Sequence, residues 1–159
     1  IECNAQKITS LDFGENSDSS FYFILKITEN EYWIGGERGI LKRIDTLGNI
    51  SNVYYPSGGH NILKMHKTGN TVFLFTGQGY IYKHHLNTSS WEVKRFKKLR
   101  NKSIYAAAIL DNQVIYIGGG AQKVAVGKKT LPRGYIAITD TSISSLNVIW
   151  RRPTRFVWA

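Results

Sequence analysis

One cysteine, Cys3, in 159 residues excludes a disulfide framework and a zinc site built from thiolates. Long apolar runs are missing too. The longest, residues 104–110, spans seven positions, far short of the ~20 that a bilayer-crossing helix needs. Catalytic motifs are equally scarce. There is no Gly-x-Ser-x-Gly elbow, no glycine loop followed by Lys-Ser/Thr, and no His-Glu-x-x-His. Gly118-Gly119-Gly120 is glycine-rich, but no helix follows to lend a dipole to a phosphate. Acidic residues run out in the second half. Residues 94–159 hold thirteen Lys and Arg against Asp111 and Asp140, whereas residues 1–93 hold eight basic and nine acidic side chains. The net charge of +10 is therefore a property of the second half, and it implies a surface that attracts an anionic partner.

What is present is an ordinary globular composition, 42% apolar and 20% charged, on a chain the length of one domain. A weak internal repeat organises it. Tyr32-Trp33-Ile34-Gly35-Gly36 recurs as Val72-Phe73-Leu74-Phe75-Thr76-Gly77 and again as Val114-Ile115-Tyr116-Ile117-Gly118-Gly119. A polar turn precedes each copy (Glu29-Asn30, Gly69-Asn70, Asp111-Asn112), and another apolar strand precedes each turn, at 21–27, 62–66 and 104–110. Third strands follow at 40–45, 80–85 and 135–139, and fourth strands, mixing polar and aromatic residues, at 50–55, 91–96 and 146–150. Four strands every ~40–50 residues is the spacing of a β-propeller blade. No segment has a helical apolar stripe, so no helix is predicted.

On these residues the chain resembles several propeller repeats. Glu31-Tyr32-Trp33-Ile34-Gly35-Gly36-Glu37-Arg38-Gly39-Ile40-Leu41-Lys42-Arg43-Ile44-Asp45 resembles the repeat in sensor domains of bacterial two-component regulators. Gln113-Val114-Ile115-Tyr116-Ile117-Gly118-Gly119 resembles a kelch repeat, as does the pairing of Ile81-Tyr82 with Leu86-Asn87-Thr88-Ser89-Ser90-Trp91. Gly134-Tyr135-Ile136-Ala137-Ile138-Thr139-Asp140 is similar to the sialidase-like repeats of photosystem-assembly propellers, but Ser142-Ile143-Ser144-Ser145 departs from their Asp-Gly-Gly turn. Together the resemblances cover about residues 21–150. They imply a propeller and leave the family open.

The expected architecture is all-β. It has three meander blades at about 21–60, 61–102 and 103–154, and the first strand of a fourth at 155–159. Residues 1–20 form an N-terminal segment in which 7–13 could serve as a closing outer strand. Closed propellers have about four to eight blades, so the chain is expected to be a piece of a longer one or to be completed by other chains. A β-sandwich is the alternative arrangement of the same strands. Ile1-Glu2-Cys3-Asn4-Ala5-Gln6 resembles what remains after cleavage of a bacterial signal peptide, which implies an exported protein.

The candidate site follows from the meander. Loops between second and third strands, and links from one blade to the next, emerge at one end of the sheets. That end would collect Arg38, then Lys97, Lys98 and Arg100, then Lys123, Lys128, Lys129 and Arg133 in a long insertion, then Arg151 and Arg152. Loops on a rigid scaffold are where binding concentrates. The expected partner is an acidic protein or a polyanionic glycan. Nucleic acid is disfavoured, because the nearby aromatics (Phe96, Tyr105, Trp150, Phe156, Trp158) occupy strand positions suited to packing instead of base stacking.

No cofactor or metal is expected. His84 and His85 are adjacent on a strand and point to opposite faces; His60 and His66 have no carboxylate or thiol cluster beside them. Asp45 and Asp140 fall at equivalent repeat positions and read as turn residues, not as an acid–base pair across a pocket. The sequence thus points to a non-catalytic binding or scaffold module. A ligand-sensing region of a larger signalling protein and part of a carbohydrate-active enzyme stand as alternatives.

Overall fold

A computed structural model describes residues 19–99, 102–111, 114–121 and 133–153. The expected fourth-blade strand at 155–159 and the N-terminal segment up to residue 18 lie outside the described residues. Three four-stranded antiparallel meanders follow one another along the chain. The first holds β1 (Phe21–Thr28), β2 (Glu31–Gly36), β3 (Leu41–Asp45) and β4 (Ile50–Asn52). The second holds β5 (Ile62–Thr68), β6 (Thr71–Thr76), β7 (Tyr80–His85) and β8 (Ser90–Arg95). The third holds β9 (Lys102–Leu110), β10 (Val114–Ala121), β11 (Arg133–Asp140) and β12 (Asn147–Pro153). These are propeller-type blades: three sheets in series, not the two layers of a sandwich. No α-helix occurs among the described residues, but single 3-10 turns form at Glu37–Gly39 and Lys97–Leu99, where no helix was expected.

Equivalent rows cross the three sheets. Ile24, Ile34 and Lys42 are register partners in the first sheet. Met65, Leu74 and Tyr82 form the matching row of the second, and Ala107, Ile117, Ala137 and Val148 that of the third. On the opposite faces run Phe23–Gly35–Leu41, Lys64–Phe75–Ile81 and Ala106–Gly118–Ile136.

Burial follows these rows. Phe23, Leu41, Met65, Leu74 and Tyr82 meet in one cluster between the first and second sheets. Phe75, Ile81, Ile117, Ala137 and Val148 meet in another between the second and third. The second sheet is therefore apolar on both faces, and β6 is buried at every position from Val72 to Thr76. Such a continuous run is the signature of a strand covered on both sides, where alternation would mark a half-exposed one.

Hydrogen bonds fix how neighbouring sheets align. The Arg38 N–H donates to Asn61 Oδ1 at 3.0 Å, tying the first sheet's β2–β3 loop to the residue before β5. Ser103 Oγ donates to the Gly77 carbonyl at 2.8 Å, tying the second sheet's loop to the start of β9. One end of all three sheets thus carries the β2–β3, β6–β7 and β10–β11 connections with the inter-sheet links. The hairpin turns lie at the other.

Candidate functional site

The connection end begins with a strained loop. Arg38 sits in the left-handed region (φ 52°, ψ 22°), which a non-glycine residue rarely adopts. Three bonds impose it: the Asn61 bond, the Glu37 N–H donating to the Ser20 carbonyl at 2.9 Å, and the Ile40 N–H returning to the Glu37 carbonyl at 2.9 Å. The Arg38 side chain is exposed. Tyr55 supports the loop from beneath, its hydroxyl donating to the Gly39 carbonyl at 2.9 Å. Burial pushes that phenol up to about 12, so it stays a donor at all ordinary pH. An open groove of about 330 Å³ runs beside the loop, lined among others by Lys42, Tyr54, Tyr55 and Ser57.

Farther along the same end, Lys97 and Lys98 project from the 3-10 turn that Leu99 anchors in the core. Lys97 is exposed. Lys98 reaches sideways instead, its Nζ donating to the Leu146 carbonyl at 3.4 Å. Arg95 lies over the Tyr80 ring at 4.7 Å and Lys102 over Tyr135 at 5.6 Å, so cations cover the aromatic ends of the strands. In the third sheet Arg133 pairs with Pro153, Gly134 with Arg152 and Tyr135 with Arg151, which puts all three arginine backbones at this end. Arg100, Lys123, Lys128 and Lys129 lie outside the described residues.

The turn end holds most of the acids, and Lys26 and Lys83 pair there with Glu29 and Glu92 at 2.7 and 3.3 Å. Of the seven acidic residues described, Glu29, Glu31, Asp45, Glu92, Asp111 and Asp140 stand in or beside hairpin turns, and Glu37 alone stands at the connection end. Glu37 is already engaged: Tyr22 Oη donates to it at 2.7 Å and the Ser20 N–H at 3.3 Å, and these bonds lower its pKa. The acids thus gather at one end of the sheets, whereas basic residues stand at both. This polarity escaped the sequence reading, although the position of each acid in the repeat was its available signal. Asn61 also escaped it, because its role is a contact between repeats.

The carboxylates at the turn end are structural. Asp45 accepts from the Leu47 and Asn49 N–H groups at 2.9 Å each and from the Asn49 amide at 2.7 Å. Asp140 accepts from Ser142 Oγ at 2.6 Å, Ser144 Oγ at 2.7 Å and the Ser144 N–H at 3.1 Å. The serine bonds bring Asp140 down to about 2, below the ordinary 3.8. A folded-state pKa below the unfolded one gives stability that is complete above pH ~4 and lost as pH falls towards 2. Asp140→Ala is therefore expected to lower the urea midpoint at pH 6 and to lose that difference by pH 2–3. A gap independent of pH would contradict the bonding described.

The histidines serve packing and ion pairing. His84 is buried between Trp33 and Trp91, with ring centroids 5.3 and 4.3 Å away, and its Nδ1 donates to the Ser90 carbonyl at 3.1 Å. Burial holds its pKa below the usual histidine value. His85, on the opposite face, bonds through Nε2 to Glu92 at 2.7 Å. His60 stacks on Tyr80 at 4.7 Å. Among the described residues no three His, Cys, Asp or Glu side chains gather as metal ligands would.

With this geometry in place, comparison with known proteins adds a fold. No family model matches the chain, and no curated protein matches it. Among solved structures it resembles the tricorn protease, a propeller-containing protein, with a TM-score of 0.54 and 16% identity. The match covers 80% of this chain and 13% of that one. At such identity the likeness supports the propeller-type blades and carries nothing of the protease's activity.

Proposed function

We propose that this chain is a non-catalytic binding module whose connection end captures a polyanionic glycan or an acidic protein surface. The observation that carries the reading is that basic residues gather at the connection end while acids are almost absent from it. Arg38, Lys97, Arg133, Arg151 and Arg152 stand at the end from which the long links leave, while six of the seven described acids stand at the other. A rigid scaffold with one positive rim steers and orients an anion. In this reading the module is exported and works outside the cytoplasm.

The test uses immobilised heparin. Joint reversal of Lys128, Lys129, Arg151 and Arg152 to Glu is expected to abolish retention at moderate salt, while Lys67→Glu at the turn end leaves elution unchanged. Arg38→Gly is expected to weaken retention without loss of thermal stability, because glycine accepts the positive φ that arginine resists. Displacement by polyglutamate at concentrations that match heparin would select the acidic-protein branch. Unchanged elution of the fourfold variant overturns the proposal.

A further inference from the structure

A second groove, of about 330 Å³, opens at the turn end between the second and third sheets, so both of its walls belong to sheets that are described. Thr71, Phe73, Lys83 and His85 line it from the second sheet, and Thr141 and Ser142 from the β11–β12 turn of the third. The strand register brings these side chains together. Phe73 pairs with Lys83 and Lys83 with Glu92, while Thr71 pairs with His85. Alternation keeps both rows on one face of the second sheet, the face on which Phe73 packs towards the third.

The polar groups of this groove are only partly engaged. The Lys83 side chain is 13% exposed, and among the described residues its ammonium meets one acceptor, Glu92 Oε1 at 3.3 Å. It has three protons to place. The same Glu92 oxygen accepts from His85 Nε2 at 2.7 Å, which leaves Nδ1 of the neutral ring as an acceptor. Thr71 and Thr141 add hydroxyls that can donate and accept. Ser142 is already engaged, its Oγ donating to Asp140 Oδ1 at 2.6 Å. Charge then narrows the ligand. Glu92 balances Lys83 and Asp140 stands behind the Thr141-Ser142 wall, so the groove does not draw an anion. A mostly buried ammonium in the wall repels a cation. Phe73 is fully buried and offers no face on which a flat aromatic ligand could stack.

We infer that this groove binds a single neutral sugar ring. Lys83 donates to a ring or hydroxyl oxygen, Glu92 and His85 Nδ1 accept from neighbouring hydroxyls, and Thr71 and Thr141 bond to the sugar from opposite walls. Hydroxyls on adjacent carbons donate and accept at once, which is what this mixture of groups requires. The volume lies at the lower end of the ~300–1,000 Å³ typical of small-molecule sites, room for one ring and not for a chain. The site stands at the other end of the sheets from the basic loops and does not rest on the reading given for them.

Amide chemical shifts of the isotope-labelled full chain test this, with the methyl pyranosides of glucose, galactose and mannose as probes at millimolar concentration. At least one is expected to move the signals of Thr71, Lys83, His85 and Thr141 saturably and to leave those of Arg38 and Lys97 in place. Lys83→Met removes a charge-assisted bond and is expected to weaken binding about tenfold. Thr141→Val, on the opposite wall, is expected to weaken it a few-fold. The spectrum of each variant reports its own folding, and Thr141→Val carries the test if Lys83→Met does not fold. Four results would each overturn the inference: no shift with any of the three sugars, shifts centred away from the groove, folded variants that bind as the parent does, or sulfate moving the same amides at lower concentration than the sugars. Folded Lys83→Met is expected to keep the parent's retention on heparin. Its loss would overturn the separation of the two sites, whereas failure of the sugar titration alone leaves the connection end untouched.

Discussion

Phe75→Ala is expected to cost about 3–5 kcal/mol of folding stability, the range for emptying a fully buried aromatic site. For a chain of this length, that lowers the melting temperature by about 10 °C. Phe75 has no exposed surface, lies next to the last residue of β6 and fills the space between the second and third sheets with Phe73, Ile81, Ile117 and Ala137. The equivalent positions in the other sheets are Gly35 and Gly118, so the ring has no counterpart elsewhere in the repeat. The gap would be bounded by strands that their own ladders hold in place, and the site would collapse little. Val93→Ala on the exposed side of β8 is the control, with an expected change within about 0.5 kcal/mol. A Phe75→Ala cost below about 1 kcal/mol would mean that the second and third sheets do not pack as described. Thermal melts of the three proteins decide the matter.

The same residue shows why the fold was legible and its packing was not. Strand alternation and turn residues repeat about every forty positions, so the period could be read from Val72-Phe73-Leu74-Phe75 without knowing what covers it. Whether Phe75 or its glycine counterparts fill a given interface depends on the facing sheet, which no local pattern encodes.

Two segments illustrate the limit at smaller scale. A strand was expected over 50–55, yet β4 ends at Asn52, because Tyr55 turns inward to meet Tyr82 edge-on at 5.1 Å and to bond the Gly39 carbonyl. No helical turn was expected over Lys97-Lys98-Leu99, since one apolar residue makes no periodicity. In the structure that single leucine is fully buried and winds the link into a 3-10 turn. The candidate site was legible as a set of basic residues at one end of a meander. Its loop geometry was not, because Asn61 and Ser20 hold Arg38 from distant points in the sequence.

Gly79→Ala is expected to be the most damaging of the single glycine substitutions at turns, at about 2–4 kcal/mol. Two costs combine there. Gly79 has φ 76°, a left-handed conformation that penalises any side chain by about 1–2 kcal/mol. A Cβ at this position would also run into the Leu99 carbonyl oxygen, with Leu99 Cβ at 2.9 Å. These are backbone and near-backbone atoms of a buried residue, so no side-chain rotation relieves them. Gly48 separates the two terms, for its φ is 87° and a Cβ there would meet nothing within 4 Å. Gly48→Ala should therefore cost only the conformational part, about 1 kcal/mol, and the excess at Gly79 measures contact with the 97–99 turn. Because that turn carries Lys97 and Lys98, displacing it should also lower heparin retention, whereas Gly48→Ala leaves retention unchanged. Equal melting temperatures for the two variants would show that the link between the second and third sheets does not press on the β6–β7 loop, and the common end to which the basic residues are assigned would lose its support.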